Sequence, residues 1–576
     1  MRKFVWFCLL IGFVLGLNAQ NNGLPIITNY EPDHYKASPQ NWQISFLPSG
    51  HILVANEFGL LTFNGRTWSL IEDEVGYSSR SILITDSVAL LGIDNDILKM
   101  STDSTGKLIF NSILPHLPDS ISNFGRVRKV KLIQGKLIFL TDDYVFRING
   151  NQIESAYSED KIQRLFWMND VLYVTIHDQG LFRFQDNRFL PVIDHQLFTH
   201  NKPVKFWKKE TGFDVLTEKG QLFHVTTDVY GYERKVQLLN ETLIQGLNGD
   251  LIEEWYDFRN GWYGVAADQS GFYVLNERLE IVFHLTEEDG LQDDEVYEAK
   301  MDRYGSIWMT LANGISKIDA TYPVTNFDNK QGLNGTVESF TTIDSVLYAS
   351  THSGLYHFEE NINEYVEDLP LQVWDLAEVA TDDGNKLLLA TNNDISEWKS
   401  NGEIETIFDC YPWKLKPLKQ SKNTVLVGMD PGLVALKYEK DKWIVGQENY
   451  EVESAIGNFY EEEDVIWLGS RESFPYRLSK VNWQKDSAIY IGLEKFGLES
   501  GIPDSDVNTF QWNGKTLFGT SQGVYKYNQG SFSRFTGFSN FDSTTLVHRI
   551  YNNEDKELWM FTLMNDAYSI GYINSD

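Results

Sequence analysis

Residues 289–319 read DGLQDDEVYEAKMDRYGSIWMTLANGISKID. Inside this stretch a short apolar strand, Ile307 to Leu311, runs into a polar turn at Asn313-Gly314 and then into a second strand from Ile315. Glycine suits the turn because a tight connection between antiparallel strands needs a residue at positive φ, which costs glycine almost nothing. The unit recurs along the chain as ILVANEFGLLTF (Gly59), LYVTIHDQGLFRF (Gly180), WYGVAADQSGFYVL (Gly271), LYASTHSGLYHF (Gly354), VLVGMDPGLVALKY (Gly432) and LFGTSQGVYKY (Gly523), with a looser copy at Gly220. In LLGIDNDILKM, LIFLTDDYVFRI, LLLATNNDISEW and LWMFTLMNDAYSI, Asn95, Asp143, Asn393 and Asn565 stand near the turn; these residue types are the next most tolerant of left-handed backbone. IWLGSRESFPYRL breaks the rule.

Thirteen units follow, beginning near 51, 89, 136, 171, 212, 261, 306, 346, 386, 424, 465, 516 and 557. Their mean spacing of about 42 residues matches a four-stranded propeller blade, and strand alternation without amphipathic helices excludes helical solenoids. Thirteen blades exceed one ring, so the expected fold is all-β: two consecutive β-propellers of about seven plus six or seven blades. The expected division is 1–19 leader, 20–330 N-terminal propeller and 331–576 C-terminal propeller, with a hinge in FDNKQGLNG at 327–335. Trp308, Trp467 and Trp559, with Tyr173 and Tyr348 at the equivalent place, are read as packing between blades. The segment Leu24 to Tyr30 is strand-like and could close either ring, and a last ring with six copies is expected to be imperfect.

The chain opens Met1-Arg2-Lys3, continues apolar from Phe4 to Leu17 and reaches Asn18-Ala19-Gln20, the layout of a secretory signal peptide cleaved after Ala19. The apolar run is too short for a membrane helix, Cys8 is misplaced for lipidation, and no later stretch is apolar enough to span. An exported, periplasmic protein is expected. Without the leader only Cys410 remains, which excludes an internal disulfide. Lys+Arg number 49 against 81 Asp+Glu, a net charge of −32, so nucleic acid is a poor partner.

The residues in 289–319 resemble the repeats of the two-component regulator propeller family in Gly290-Leu291, the Asp302 to Gly305 turn, Ile307-Trp308 and Gly314-Ile315. YKASPQNW (35–42) and ANEFGLLTFNGRTW (55–68) resemble the start of the sensor regions of Bacteroidetes members. The resemblance implies two seven-bladed periplasmic propellers, then a three-tyrosine domain, a membrane helix and a histidine kinase or DNA-binding module. The chain reaches Asp576 with thirteen copies, so the expectation is of the sensor region without those output domains.

No phosphate-binding glycine loop, HExxH, GxSxG or metal-spaced Cys/His pair is present. His177, His224, His352 and His548 are read as structural, and the acidic runs Glu287 to Asp289, Asp293 to Glu295 and Glu461 to Asp464 as solvated turns without the alternation of a calcium loop. No catalytic or metal residue, cofactor or individual ligand-binding residue is assigned. The expected function is non-catalytic: a periplasmic ligand-binding sensor module of a two-component-type system. Its partners are expected to be an extracellular ligand, for which the resemblance implies an oligosaccharide, a membrane signalling protein and a second copy of the chain. The alternatives are a cell-envelope interaction scaffold or, further off, a carbohydrate-active propeller enzyme.

Overall fold

The computed structural model describes residues 23–574, apart from 72–77, 86–87, 104–107, 116, 119–120, 151, 229–230, 248, 322–324, 328, 360–363, 400, 420, 472, 486, 504–505, 513, 539–545, 554–556 and 565–566. The leader and Asn565 therefore lie outside the described residues, as do the side chains of Trp559 and His548. The chain divides into two compact units, 1–327 and 328–576.

Each of the thirteen sequence copies is the second and third strand of one antiparallel sheet. In the first unit the sheets are blade 1 (41–71), 2 (81–112), 3 (129–157), 4 (162–191), 5 (203–240), 6 (252–285) and 7 (296–318). In the second unit they are blade 8 (337–369), 9 (373–409), 10 (412–445), 11 (456–478 with Glu494–Lys495), 12 (508–534) and 13 (546–574). The second strands are the legible ones because they are covered on both faces: every residue of Ile307–Leu311 is buried, as is every residue of Thr424–Met429. A strand buried on both faces reads as an apolar run, not as an alternation.

Neighbouring blades share apolar layers. In the first unit such layers join blades 1 and 2, 2 and 3, 3 and 4, 4 and 5, 5 and 6, 6 and 7, and finally 7 and 1, which closes a seven-bladed ring. The closing strand is Ile27–Tyr30, which pairs with Gly314–Ile318 as the outermost strand of blade 7, so the N-terminal segment serves the first ring. Tyr30 stacks on Trp308 at 5.6 Å between blades 7 and 1. Five layers join blades 8 through 13 in order. Blade 13 has three strands among the described residues, where each of the other twelve has four.

The aromatic residues singled out in the second strands do pack between blades. Trp308 and Trp467 are 4% and 2% exposed, Tyr173 lies between blades 4 and 5, and Tyr348 between blades 8 and 9. The Asp-x-x-Gly turn before Trp308 has a mechanical reason. Asp302 Oδ1 accepts the Tyr304 and Ser306 amides, its Oδ2 accepts the Trp308 indole N–H at 3.0 Å, and Gly305 takes φ +93°.

The single-cause reading of the turns needs correction. Gly314 has φ +106° and Asn95 +58°, but Gly354, Asp143 and Asn393 are not at positive φ. Threonine makes those three turns: Thr351 Oγ1 accepts the amides of Ser353 and Gly354, Thr141 Oγ1 those of Asp143 and Tyr144, and Thr391 Oγ1 those of Asn393 and Asp394. A hydroxyl that satisfies the turn amides removes the need for left-handed backbone. Gly354 is glycine for space instead, since a Cβ there would sit 2.5 Å from the Leu369 carbonyl oxygen.

Candidate functional site

The innermost strands of blades 1 and 4–11 each carry a β-bulge after their first residue, so that the second residue is skipped by the ladder. A bulge re-aims the extra side chain out of the sheet's alternation. The re-aimed residues include Trp42, Tyr297, Trp374 and Trp413, all half-buried, and in each unit two of these aromatics meet.

In the first unit Trp42 of blade 1 stacks on Tyr297 of blade 7 at 4.6 Å and 18°. The Arg80 guanidinium covers the other ring environment of Trp42 at 3.5 Å from its centroid. Glu57 fixes this group: its carboxylate pairs with Arg80 at 3.1 Å, accepts the Trp42 indole N–H at 3.0 Å and the Ser78 hydroxyl at 3.1 Å, and faces Arg126 at 3.7 Å. Burial and then Glu295 push the Tyr297 phenol up to about 12, so it stays a neutral hydroxyl.

In the second unit Trp374 of blade 9 and Trp413 of blade 10 lie 4.6 Å apart at 40°, and the row is extended at both ends. His352, in the blade 8 turn, meets Trp374 edge-on at 5.3 Å, and the Arg471 guanidinium lies 4.1 Å from the Trp413 centroid. A cleft of about 340 Å³ opens here, lined by Trp374, Asn392, Tyr411, Pro412, Trp413 and Asp430. Tyr411 is 66% exposed and Arg471 is also exposed, so the aromatic row is reachable from solvent. Aromatic faces beside a guanidinium and a few amide and carboxylate groups form a surface for ring-shaped, hydroxyl-bearing molecules: the faces give contact area and the polar groups fix orientation.

Arg471 belongs to IWLGSRESFPYRL, the copy that breaks the turn rule. There the second and third strands, Ile466–Ser470 and Tyr476–Leu478, are joined by a longer loop, and its first residue is the one brought over Trp413. His352, read as structural, stands at the row's end, where Glu338 pairs with it at 3.1 Å. His224 is structural, held by Asp214 at 2.7 Å. The acidic run after blade 6 caps its own turn: Asp289 accepts from Thr286, Asp294 from the Glu287 amide and Asp293 from the Glu295 amide. Glu461 accepts the Lys419 amide at 2.8 Å. Among the described residues no group of His, Cys, Asp or Glu is arranged to hold a metal ion.

The bulges also set up clamps between blades. The residue after the bulge accepts an amide from the next innermost strand: Gln43 from Ile82 at 2.7 Å, Asp375 from Leu415 at 2.8 Å and Asn458 from Thr509 at 2.9 Å. Each clamp holds two neighbouring blades in register, the first two beside the re-aimed Trp42 and Trp374 and the third beside Gly457.

No family model matches the chain, and no curated protein matches it. The solved structures do. The extracellular domain of a hybrid two component system from B. thetaiotaomicron superposes with a TM-score of 0.65 at 13% identity, over 96% of this chain and 78% of that one. The chain has the fold of that extracellular domain. A second hybrid two component system domain from the same organism aligns over 96% of this chain and 78% of its own at 14% identity, with a TM-score of 0.38. PorZ, a surface component of the type-IX secretion system of Porphyromonas gingivalis, covers 93% of this chain and 85% of its own at 11% identity and 0.29. At those two scores nothing rests on either likeness. No helix among the described residues is long and apolar enough to cross a membrane.

Proposed function

We propose that this chain is the exported, ligand-binding sensor region of a two-component-type signalling system, that it binds without catalysing, and that its ligand is an oligosaccharide. The observation that carries the reading is the solvent-reachable row His352, Trp374, Trp413 and Arg471 beside its cleft. Support comes from the shared fold with an extracellular domain of a hybrid two component system and from the leader-like first nineteen residues, which favour export to the periplasm. A saccharide ring has one apolar face that lies flat on an indole, and its hydroxyls reach Asn392, Asp430 and Arg471. A membrane signalling protein then reads the loaded state.

Purified chain applied to an array of neutral and acidic oligosaccharides is expected to retain a small related set. Incubation with each hit, followed by mass spectrometry of the glycan, is expected to return it intact. A shortened glycan would turn the reading into that of a carbohydrate-active enzyme. Retention of envelope proteins and of no glycan would turn it into that of a scaffold.

A further inference from the structure

The bore of the first propeller is lined by charge, in a chain whose net charge is −32. Its innermost strands supply one layer directly after the bulges, containing Gln43, Arg164, Lys205, Glu254 and Glu298, with Lys129 of blade 3 joining it. Two residues further along the strands of blades 1, 3 and 7, a second layer holds Ser45, Lys131 and Lys300. Ion pairs cross the ring in the first layer. Lys129 of blade 3 reaches Glu298 of blade 7 at 3.1 Å, and Arg164 of blade 4 reaches Glu254 of blade 6 at 3.3 Å. Pairs that join non-adjacent blades meet at the ring's axis, and Lys129 there keeps its side chain 40% exposed, so the bore admits water.

Among the described residues, the carboxylates on the innermost strands of blades 6 and 7 that face the bore have cations. Glu298 has Lys129, Glu253 and Glu254 share Arg164, and Asp257 pairs with Lys205. Lys131 and Lys300 are left over: among the described residues neither has an ion-pair partner, and Lys300 donates only a long bond to Ser45 Oγ at 3.4 Å. Lys131 lies two residues beyond Lys129 on the same face of its strand, so it faces the bore one layer away from the Lys129–Glu298 pair; the charges acting on it are Lys129 on its own strand, Lys205 of blade 5, Glu254 of blade 6 and Glu298 of blade 7. Burial, reinforced by Lys129, pushes Lys131 down to about 8, and burial lowers Lys300 as well. An ammonium held in a protein-walled bore without a counter-charge is costly unless an anion joins it.

We propose that the bore of the first propeller is a binding site for a small oxyanion, a phosphate, sulfate or carboxylate group, held between Lys131 and Lys300 with Ser45 beside Lys300. The acidic exterior selects against polyanions, since a chain of phosphates meets the repelling surface before it meets the lysines. The site is confined to the first unit, so its failure and that of the aromatic row in the second unit are separate results.

The test uses the full chain and three probes: inorganic phosphate, inorganic sulfate and acetate, each against chloride at equal ionic strength. Lys131 is acetylated at pH 8 with a limiting dose of an N-hydroxysuccinimide ester, and its peptide is quantified by mass spectrometry. In chloride, Lys131 is expected to react faster than the exposed lysines Lys219 and Lys440; at millimolar concentration at least one oxyanion is expected to slow it more than fivefold without slowing those two. Whichever probe protects identifies the source class. Calorimetric titration of that oxyanion is expected to give one site in the wild type and none in Lys131→Met, a substitution that removes an unpaired charge and keeps the fold. Equal labelling in all four salts, or an unchanged titration in Lys131→Met, would overturn the proposal.

Discussion

Trp308 and Trp467 occupy the same place in blades 7 and 11, yet the structure gives them different hydrogen-bond fates, and replacing each by phenylalanine separates the two. The loss of apolar area is similar at both sites, about 1–2 kcal/mol. Trp308 Nε1 donates to Asp302 at 3.0 Å, and a bond to a charged group contributes about 1.5–3 kcal/mol. Asp302 is half-buried and accepts two amides as well, so water replaces part of the loss and the lower figure applies. Trp308→Phe should therefore cost about 3 kcal/mol. Trp467 Nε1 is buried with no partner among the described residues. An unsatisfied donor of that kind costs about 1–3 kcal/mol, and removing it offsets the lost area, so Trp467→Phe should be close to neutral. Native-state hydrogen exchange read by mass spectrometry on the full chain reports each blade separately. The slowest amides of 296–318 should exchange roughly a hundredfold faster or more in Trp308→Phe, while those of 456–478 should be unchanged within about threefold in Trp467→Phe. Equal losses in the two variants would refute the reasoning, because they would mean that area alone sets the cost.

Three further outcomes follow from particular residues. At Gly314 a Cβ would meet Gln292 Cγ, a flexible side chain, at 2.7 Å and the φ of +106° adds strain that is greater for a β-branched residue, so Gly314→Asn should destabilise by about 1 kcal/mol less than Gly314→Val; at Gly354 the obstacle is the Leu369 carbonyl, so Asn and Val should be equally damaging in a thermal melt. Burial pushes the Cys410 thiol up to about 12, so alkylation by iodoacetamide at pH 8 should run well below the rate of a free cysteine peptide and approach it only after denaturation. Lys131, faced by Lys129, Lys205, Glu254 and Glu298, titrates near 8 in the folded protein and at 10.5 when unperturbed. Between those values the unfolded chain holds more protons, so this residue makes the first propeller more stable as pH rises through the window. Lys131→Met should stabilise it at pH 7 and remove that rise in urea titrations.

What the sequence made legible follows from what is buried on two faces. The runs Ile307–Leu311 and Thr424–Met429 are apolar throughout because blades cover both sides, and the turns after them recur, so the blade count was readable. Outermost strands were not: Glu233–Asn240 is mostly exposed and reads as loop. The bulges were invisible for another reason. An extra residue in Val373-Trp374-Asp375-Leu376 breaks the alternation that would mark the innermost strand, and it is this break that aims Trp374 at the cleft. The lysines of Lys129–Ile133 carry no signal of their role in the sequence, because it is ring closure that brings Glu298 across the bore to Lys129. Two signals were present in the sequence. The threonine at the end of the second strand in LIFLTDDY, LYASTHSG and LLLATNND marks the hydroxyl that accepts the turn amides, as Thr520 also does in LFGTSQG where Gly523 keeps φ +97°, and the irregular IWLGSRESFPYRL turn marks the loop that supplies Arg471.

The account's central claim is that the second propeller binds its ligand through the aromatic row. The direct measurement is calorimetric titration of the strongest glycan from the array into four proteins: wild type, Trp413→Ala, Arg471→Ala and, as a control, Trp42→Ala in the first unit. A buried aromatic anchor at a binding surface contributes about 2 kcal/mol or more, roughly a thirtyfold change in affinity. The account predicts at least that loss in Trp413→Ala, a loss in Arg471→Ala, and wild-type affinity in Trp42→Ala, all with unchanged melting of the second unit. Full affinity in Trp413→Ala with Arg471→Ala also unaffected would contradict it.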